Sequence, residues 1–245
     1  MGTTAFRWRD RLALALAVWL AAAGSAAAGS FSLAPIRIEM DKGRATGVVT
    51  LHNDADVPVT IQIEAVAWTQ PEDGDRYVPT HDLIVTPPVF VVPPKSDQIV
   101  RVARRPAADT GSEIPYRLFF QEVPDTTPQS GTGLRIALRV GVPVFVAAAG
   151  AAPDLAFAAE LAADGSVAIT AANHGRAHVQ VTDFEVRAEN GVALGAVSGS
   201  RYLLPGSATR WTLKPAAGET PSGTLKIQGH SDRGPIAAEV ALAAR

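Results

Sequence analysis

The chain has 245 residues, no cysteine, 47% hydrophobic residues, and 22 Lys and Arg against 24 Asp and Glu. This length suffices for two ordinary domains, each with its own core. The missing cysteine excludes disulfide staples, thiolate nucleophiles and thiolate metal ligands, and the near balance of charge argues against a nucleic-acid surface.

In chain order, residues 1–28 read first as a secretory signal peptide. Arg7, Arg9 and Arg11 precede the apolar run "LALALAVWLAAAG", and Ala26 and Ala28 supply an A-x-A cleavage pattern. The run is too short to span a bilayer, so export without stable membrane insertion is expected. Removal of the signal leaves 19 basic residues against 23 acidic ones.

Short alternating or β-branched runs follow, broken by Gly, Pro, Asn and Asp, which is an all-β pattern. The expected strands are "FSLAPIRIEM", "GVVTLHND", "TIQIEAVAWTQ", "DLIVTPPVFVV", "DQIVRVAR", "YRLFFQEV" and "LRIALRVGVPVFV". Seven strands in about 120 residues suit an immunoglobulin-like sandwich, with bounds 29–148. The proline pairs around "VFVV" restrict that segment to a short or edge strand. The small-residue stretch "AAAGAAPD" then marks a boundary.

A second domain, 149–245, restarts the pattern with "DLAFAAELA", "SVAITAANHG", "HVQVTDFEVRA", "ATRWTLKP" and "TLKIQGHS". Its first segment has helical propensity, but its β surroundings and the early Gly165 favour a strand. No long helix is expected, which argues against α/β folds with a nucleotide crevice.

Signs of chemistry are sparse. His52, His81, His174, His178 and His230 are scattered; only His174 and His178 have a chelating spacing, with no third ligand near, so surface or turn positions are expected. Glu72, Asp73 and Asp75 surround Gly74 in a turn-forming cluster. There is no nucleophile elbow, P-loop or H-E-x-x-H. No catalytic residue, cofactor or metal site is therefore expected. Trp68, Phe90, Phe119 and Phe120 read as core.

"LRIALRVGVPVFV" carries Leu134, Ile136, Leu138, Val140, Val142 and Val144 on one face of an extended chain. Alternation identifies an apolar face without saying whether it lies in this chain's core or is offered to another chain. Arg37, Arg101, Arg135 and Arg139 interrupt apolar strands. Each is explained as a solvated outward position; the sharper reading puts one of them in an interdomain cleft, where it captures a partner's carboxylate.

Five segments in order, "FSLAPIRIEM", "LHNDADVPVTIQIEAVAW", "VTPPVFVVPPKSDQIVRV", "YRLFFQEVP" and "LRIALRVGVPVFV", resemble the periplasmic chaperones of chaperone-usher pilus systems. In the second half, "AITAANHGRAHVQVTDFEV" and "YLLPGSATRWTL" are similar to the family's second domain. The resemblance implies two immunoglobulin-like domains in an L shape that hold pilin subunits and deliver them to an outer-membrane usher. It further implies a donor strand presenting Leu134, Ile136, Leu138 and Val140, and Arg37 as anchor for the subunit's terminal carboxylate. The family's second anchor, a Lys, falls on Pro143 here, which leaves Arg101 and Arg139 as candidate helpers and suggests an archaic or alternative branch related to spore-coat-type pili. Self-association of the free chaperone is a further implied partner. The alternative reading is an exported two-domain sandwich acting as a binding or surface-structural module, with an exported hydrolase third.

Overall fold

Alternation builds strands throughout: the chain is all-β, with seventeen strands and no helix among the described residues. The structure, a computed structural model, describes residues 31–72, 74–106, 111–124, 136–216 and 219–244. The expected signal peptide lies outside them.

The opening segment forms two strands in different sheets. β1 (Phe31–Ala34) pairs antiparallel with β3 (Thr46–Asn53), whereas β2 (Ile38–Met40) pairs in parallel with β10 (Arg139–Val146). Pro35 has no N–H to continue a ladder, and the chain changes partner there. One sheet runs in the order β1, β3, β8 (Asp97–Arg104), β6 (Leu83–Thr86). The other runs β2, β10, β9 (Ile114–Glu122), β4 (Val59–Thr69), β5 (Arg76–Pro79), with β7 (Val89–Val92) also on β4. Pro87 and Pro88 split the expected 82–92 strand into β6 and β7. Inward rows from both sheets, including Leu51, Ile61, Val100, Phe120 and Val144, form one core.

The second unit is a single hydrogen-bonded path: β14 (Ala193–Leu203), β13 (Val179–Ala188), β16 (Thr224–Ser231), β17 (Gly234–Ala244), β11 (Leu155–Leu161), β12 (Val167–Asn173), β15 (Ala208–Leu213). It closes around Ile169, Phe184, Leu203 and Leu225. β11 is a strand despite its alanines, because its pairing with β12 and β17 overrides propensity. Three strands went unrecognised in the sequence, β5, β14 and β17: β5 is only four residues long, and the Gly, Ser and Ala content of β14 and β17 weakens their alternation.

Both units fix a strand end with a fully buried asparagine. Asn53 Nδ2 donates to the carbonyls of Val57, Val92 and Pro93 while its Oδ1 accepts from Ala55 N–H. Asn173 Nδ2 donates to Ala177 and Leu203, and its Oδ1 accepts from Asp154 and Gly175 N–H. Each buried amide thereby has its own hydrogen-bonding groups satisfied by the main chain of the following turn and of a neighbouring segment. Asn173→Ala is expected to cost about 3 kcal/mol, because several buried groups lose partners together; urea unfolding measures the loss.

Candidate functional site

β10 is paired along its whole length with β9, in antiparallel register from Arg139 opposite Gln121 to Val146 opposite Ile114. Glu122 N–H donates to Leu138 C=O at 2.9 Å, so the main-chain groups of even positions face β9 and those of odd positions face the other edge. β2 occupies that other edge only at 144–146. Over 139–143 the edge has no strand partner among the described residues, leaving the N–H and C=O groups of Arg139 and Gly141 uncovered. Pro143, which has no N–H to leave unpaired, sits on the same edge, a position suited to proline.

The apolar row is divided between two roles. Val142 and Val144 are buried in the chain's own core, and Leu138 packs partly against it. Val140 is 36% and Ile136 72% exposed. Leu134 lies outside the described residues. Strand geometry begins at Arg139, so Ile136 and Leu138 precede the ladder.

Arg37 stands immediately before β2, where β2 takes over the edge. Its Nη1 donates to Asp232 Oδ2 at 2.9 Å and its Nη2 lies 3.1 Å from Glu39 Oε1. Burial opposes the charge, but the hydrogen bond to Asp232 and the charge of Glu39 outweigh it, and the guanidinium is held above its ordinary pKa. The two candidate helpers are placed elsewhere. Arg101 is an exposed residue of β8 in the opposite sheet, opposite Val48. Arg139 pairs with Glu64 at 2.9 Å and lies over the Phe119 ring at 3.7 Å.

Asp232 belongs to the second unit and Arg37 to the first, so this ion pair crosses between them. Beside it His178 is 1% exposed, its Nδ1 2.7 Å from Glu113 Oε1, its ring stacked on Phe145 of β10 at 3.5 Å between centroids. The expectation of a surface or turn histidine is corrected here: the neighbouring strand β13 carries His178 into the interface, whereas His174 remains exposed in the turn.

A split first strand, an uncovered edge beside it and a cross-domain arginine accompany a specific match. Residues 30–151 match the family described as pili and flagellar-assembly chaperone, PapD N-terminal domain. The chain belongs to this family.

Solved structures extend the likeness to both domains of the chaperone. One is the CsuC–CsuE chaperone–tip adhesion subunit pre-assembly complex from archaic chaperone-usher Csu pili of Acinetobacter baumannii, with 18% identity and TM-score 0.65, covering 87% of this chain and 99% of that one. Another is the SafB chaperone in complex with SafA pilin of Salmonella enterica, with 16% identity and TM-score 0.57, covering 86% and 96%. The CupB2 chaperone of Pseudomonas aeruginosa gives 17% identity and TM-score 0.52, covering 86% and 100%. At these identities the likeness is one of fold, two immunoglobulin-like sandwiches. A search of curated protein sequences found no match.

In this chaperone the interface between domains is a mixed aromatic and polar contact. Trp68, Phe145 and Leu204 form its buried centre. Trp68 was expected in a domain core; it instead lies on the outward face of β4, where the second domain covers it. Gln70, which nothing in its sequence context marks, uses its whole amide. Nε2 donates to Asp75 Oδ1 at 2.8 Å and Tyr202 C=O at 3.0 Å, while Oε1 accepts from Leu204 N–H and Ser207 Oγ, both at 2.9 Å. Gln70→Ala is expected to leave the Leu204 amide unpaired and to raise its hydrogen-exchange rate by about tenfold, as mass-resolved or NMR exchange would measure.

Proposed function

We propose that this chaperone captures pilin subunits in the periplasm by donor-strand complementation and delivers them to an outer-membrane usher. In this reading residues 1–28 direct export, and domains 29–148 and 149–245 hold the subunit between them. No helix among the described residues is long and apolar enough to cross a membrane.

The observation that carries the reading is the uncovered edge of β10 over 139–143, ending at Arg37. An incomplete sandwich adding a strand there gains main-chain hydrogen bonds and receives the exposed members of the apolar row, Ile136 and Val140, with Leu134 and Leu138 extending it. β2 already runs parallel to β10 on this edge. A subunit strand in the same direction, in line with β2, would end at Arg37 and place its terminal carboxylate within reach of a guanidinium, where charge-assisted hydrogen bonds are strong. With Pro143 at the second anchor position, Arg37 carries this contact, and the branch is the archaic or alternative one. The free chaperone's exposed edge also makes self-association a predicted state at high concentration.

The test is purification of the tagged mature chain from the periplasm of its native host during fibre expression, with mass spectrometry of what accompanies it. A small β-rich subunit at equal stoichiometry is expected; recovery of the chain alone would sink the reading. Ile136→Glu is the cleaner donor-row variant, since Leu138 also contacts the chaperone's own core. It should lower subunit retention at least about tenfold while leaving circular dichroism unchanged, because a carboxylate resists entry into an apolar groove. Arg37→Ala tests the other end of the edge: reduced retention of a subunit with a free C-terminus is expected, and unchanged retention would return Arg37 to a purely interdomain role.

A further inference from the structure

Capture through β10 requires the donor row to stand in a fixed register with Arg37. Ile38 of β2 pairs with Val144, so Arg37 is level with Pro143, and Val140, Leu138 and Ile136 follow upstream on alternate positions. The start of the ladder is the weak point. β10 begins at Arg139, whose own N–H and C=O face the uncovered edge, and a strand end with few protected backbone bonds is where a sheet frays. Loss of the first pairs would let the row swing away from the line that Arg37 defines.

The outward face of the sheet supplies a restraint at that point. Arg139 stands opposite Gln121, but its side chain does not stay on that row. It runs diagonally over β9, with the guanidinium carbon 3.7 Å from the centroid of the Phe119 ring, and its Nη2 donates to Glu64 Oε2 on β4 at 2.9 Å. Glu64 is the residue opposite Phe119, so one side chain joins three neighbouring strands. An exposed ion pair alone would contribute little. The ring beneath it changes this, because a planar guanidinium stacks on an aromatic face. Phe119 is itself only 9% exposed, and Tyr77 meets it edge-on at 5.2 Å between centroids, so the surface under Arg139 is fixed. Gly141 makes the arrangement possible. A Cβ there would stand 3.1 Å from Phe119 Cε1 and from Arg117 Cδ, closer than ordinary contact; without one, the ring lies against β10 and within reach of Arg139.

We infer that Arg139 is a positioning residue for the donor row. By tying the first residue of β10 across β9 to β4, it holds the bond from Glu122 N–H to Leu138 C=O at the open end of the ladder. That bond sets the direction and register in which Leu138 and Ile136 leave the sheet. An incoming subunit then meets a row already spaced from Arg37 and does not have to order it on binding, which lowers the cost of association. The clamp consists of the free chain's own contacts, whereas its part in capture rests on the capture reading.

The experiment has two arms. The first uses the free mature chain, so no client enters. In Arg139→Ala the Val140 amide, which faces β9, should exchange about tenfold faster while the urea midpoint stays at the wild-type value; unchanged exchange at Val140 overturns the inference. Arg139→Lys keeps a cation for Glu64 but loses the planar stack, so its exchange should fall between those of wild type and Arg139→Ala. The second arm is co-purification of the subunit with the full chain from the native periplasm. Arg139→Ala should retain less subunit by at least about threefold, since the row must now be ordered on binding. Gln121→Ala, which alters the residue opposite Arg139 and leaves the clamp intact, should retain the wild-type amount. Equal retention by wild type and Arg139→Ala overturns the positioning role, and so does an equal loss in Gln121→Ala, which would make any change on this face harmful. A wild-type chain that retains no subunit fails the capture reading and with it the role in capture, while exchange at Val140 still decides whether the clamp holds the strand.

Discussion

The second edge of β10 is the constraint on which the rest depends. A strand inside a sheet needs partners on both edges, and β2 supplies only three residues of partner. It is short for local reasons. Pro35 cannot join a ladder, and Asp41 turns the chain back with Oδ1 accepting the N–H groups of Gly43 and Arg44 at 2.7 Å each. Three parallel pairs hold 144–146 in place, and the residues upstream keep their odd-numbered main-chain groups uncovered. The same split puts Arg37 at the junction, since the chain that crosses from β3 to β10 must pass the end of the uncovered edge.

The domain interface follows from the same strand. In β10 the residues 142–146 are all buried, although period two gives them alternate faces. Val142, Val144 and Val146 point into the first domain's core; Phe145 points outward, where His178 and the second domain cover it. On β4, Val66 and Trp68 are likewise outward yet each only 2% exposed. One continuous sheet face thus becomes the floor of the interdomain contact, where side chains of β4 and β10 meet the second domain. Arg37 and Gln70 add polar bonds around it and Glu113 adds one within it, where register matters more than area.

What the sequence made legible was what is periodic. β3, β4, β8, β9, β12, β13 and β16 alternate strongly and coincide with expected strands to within a residue or two, and the unbroken run "VPVFV" carries the mark of a strand covered on both faces. The interface was illegible because its members are marked only by their partners. Glu113, Asp232 and His178 are far apart in the chain, and an isolated histidine in "NHGRAHV" has the same appearance whether it ends in solvent or under Phe145. Arg139 and Arg101 could not be told from Arg37 by context, since each is a cation in an apolar strand; which sheet and which end of the strand each occupies is set by long-range pairing. Pro143 was visible as a departure from the family pattern, yet its edge position required the register.

In the proposed reading, that register leaves one cation at the anchor where the family pattern has two. Opposite Pro143 stands Arg117 on β9, so positive charge is present behind the proline. It lies along the outward face of the sheet: its guanidinium is 4.4 Å from the centroid of Trp68 and 5.5 Å from that of Tyr77, and it donates to the Tyr77 hydroxyl. Caged by two aromatic rings, Arg117 offers little to a ligand at the edge. Arg37, by contrast, uses Nη1 for Asp232 and Nη2 for Glu39, and a guanidinium has five N–H donors in a fixed fork. These contacts, with a further hydrogen bond to the Tyr202 side chain, orient the fork, and five donors exceed the three partners. A carboxylate arriving at the end of β10 would meet a cation whose side-chain entropy has already been lost on folding, and preorganisation of that kind lowers the cost of binding in the way a second, mobile lysine would not.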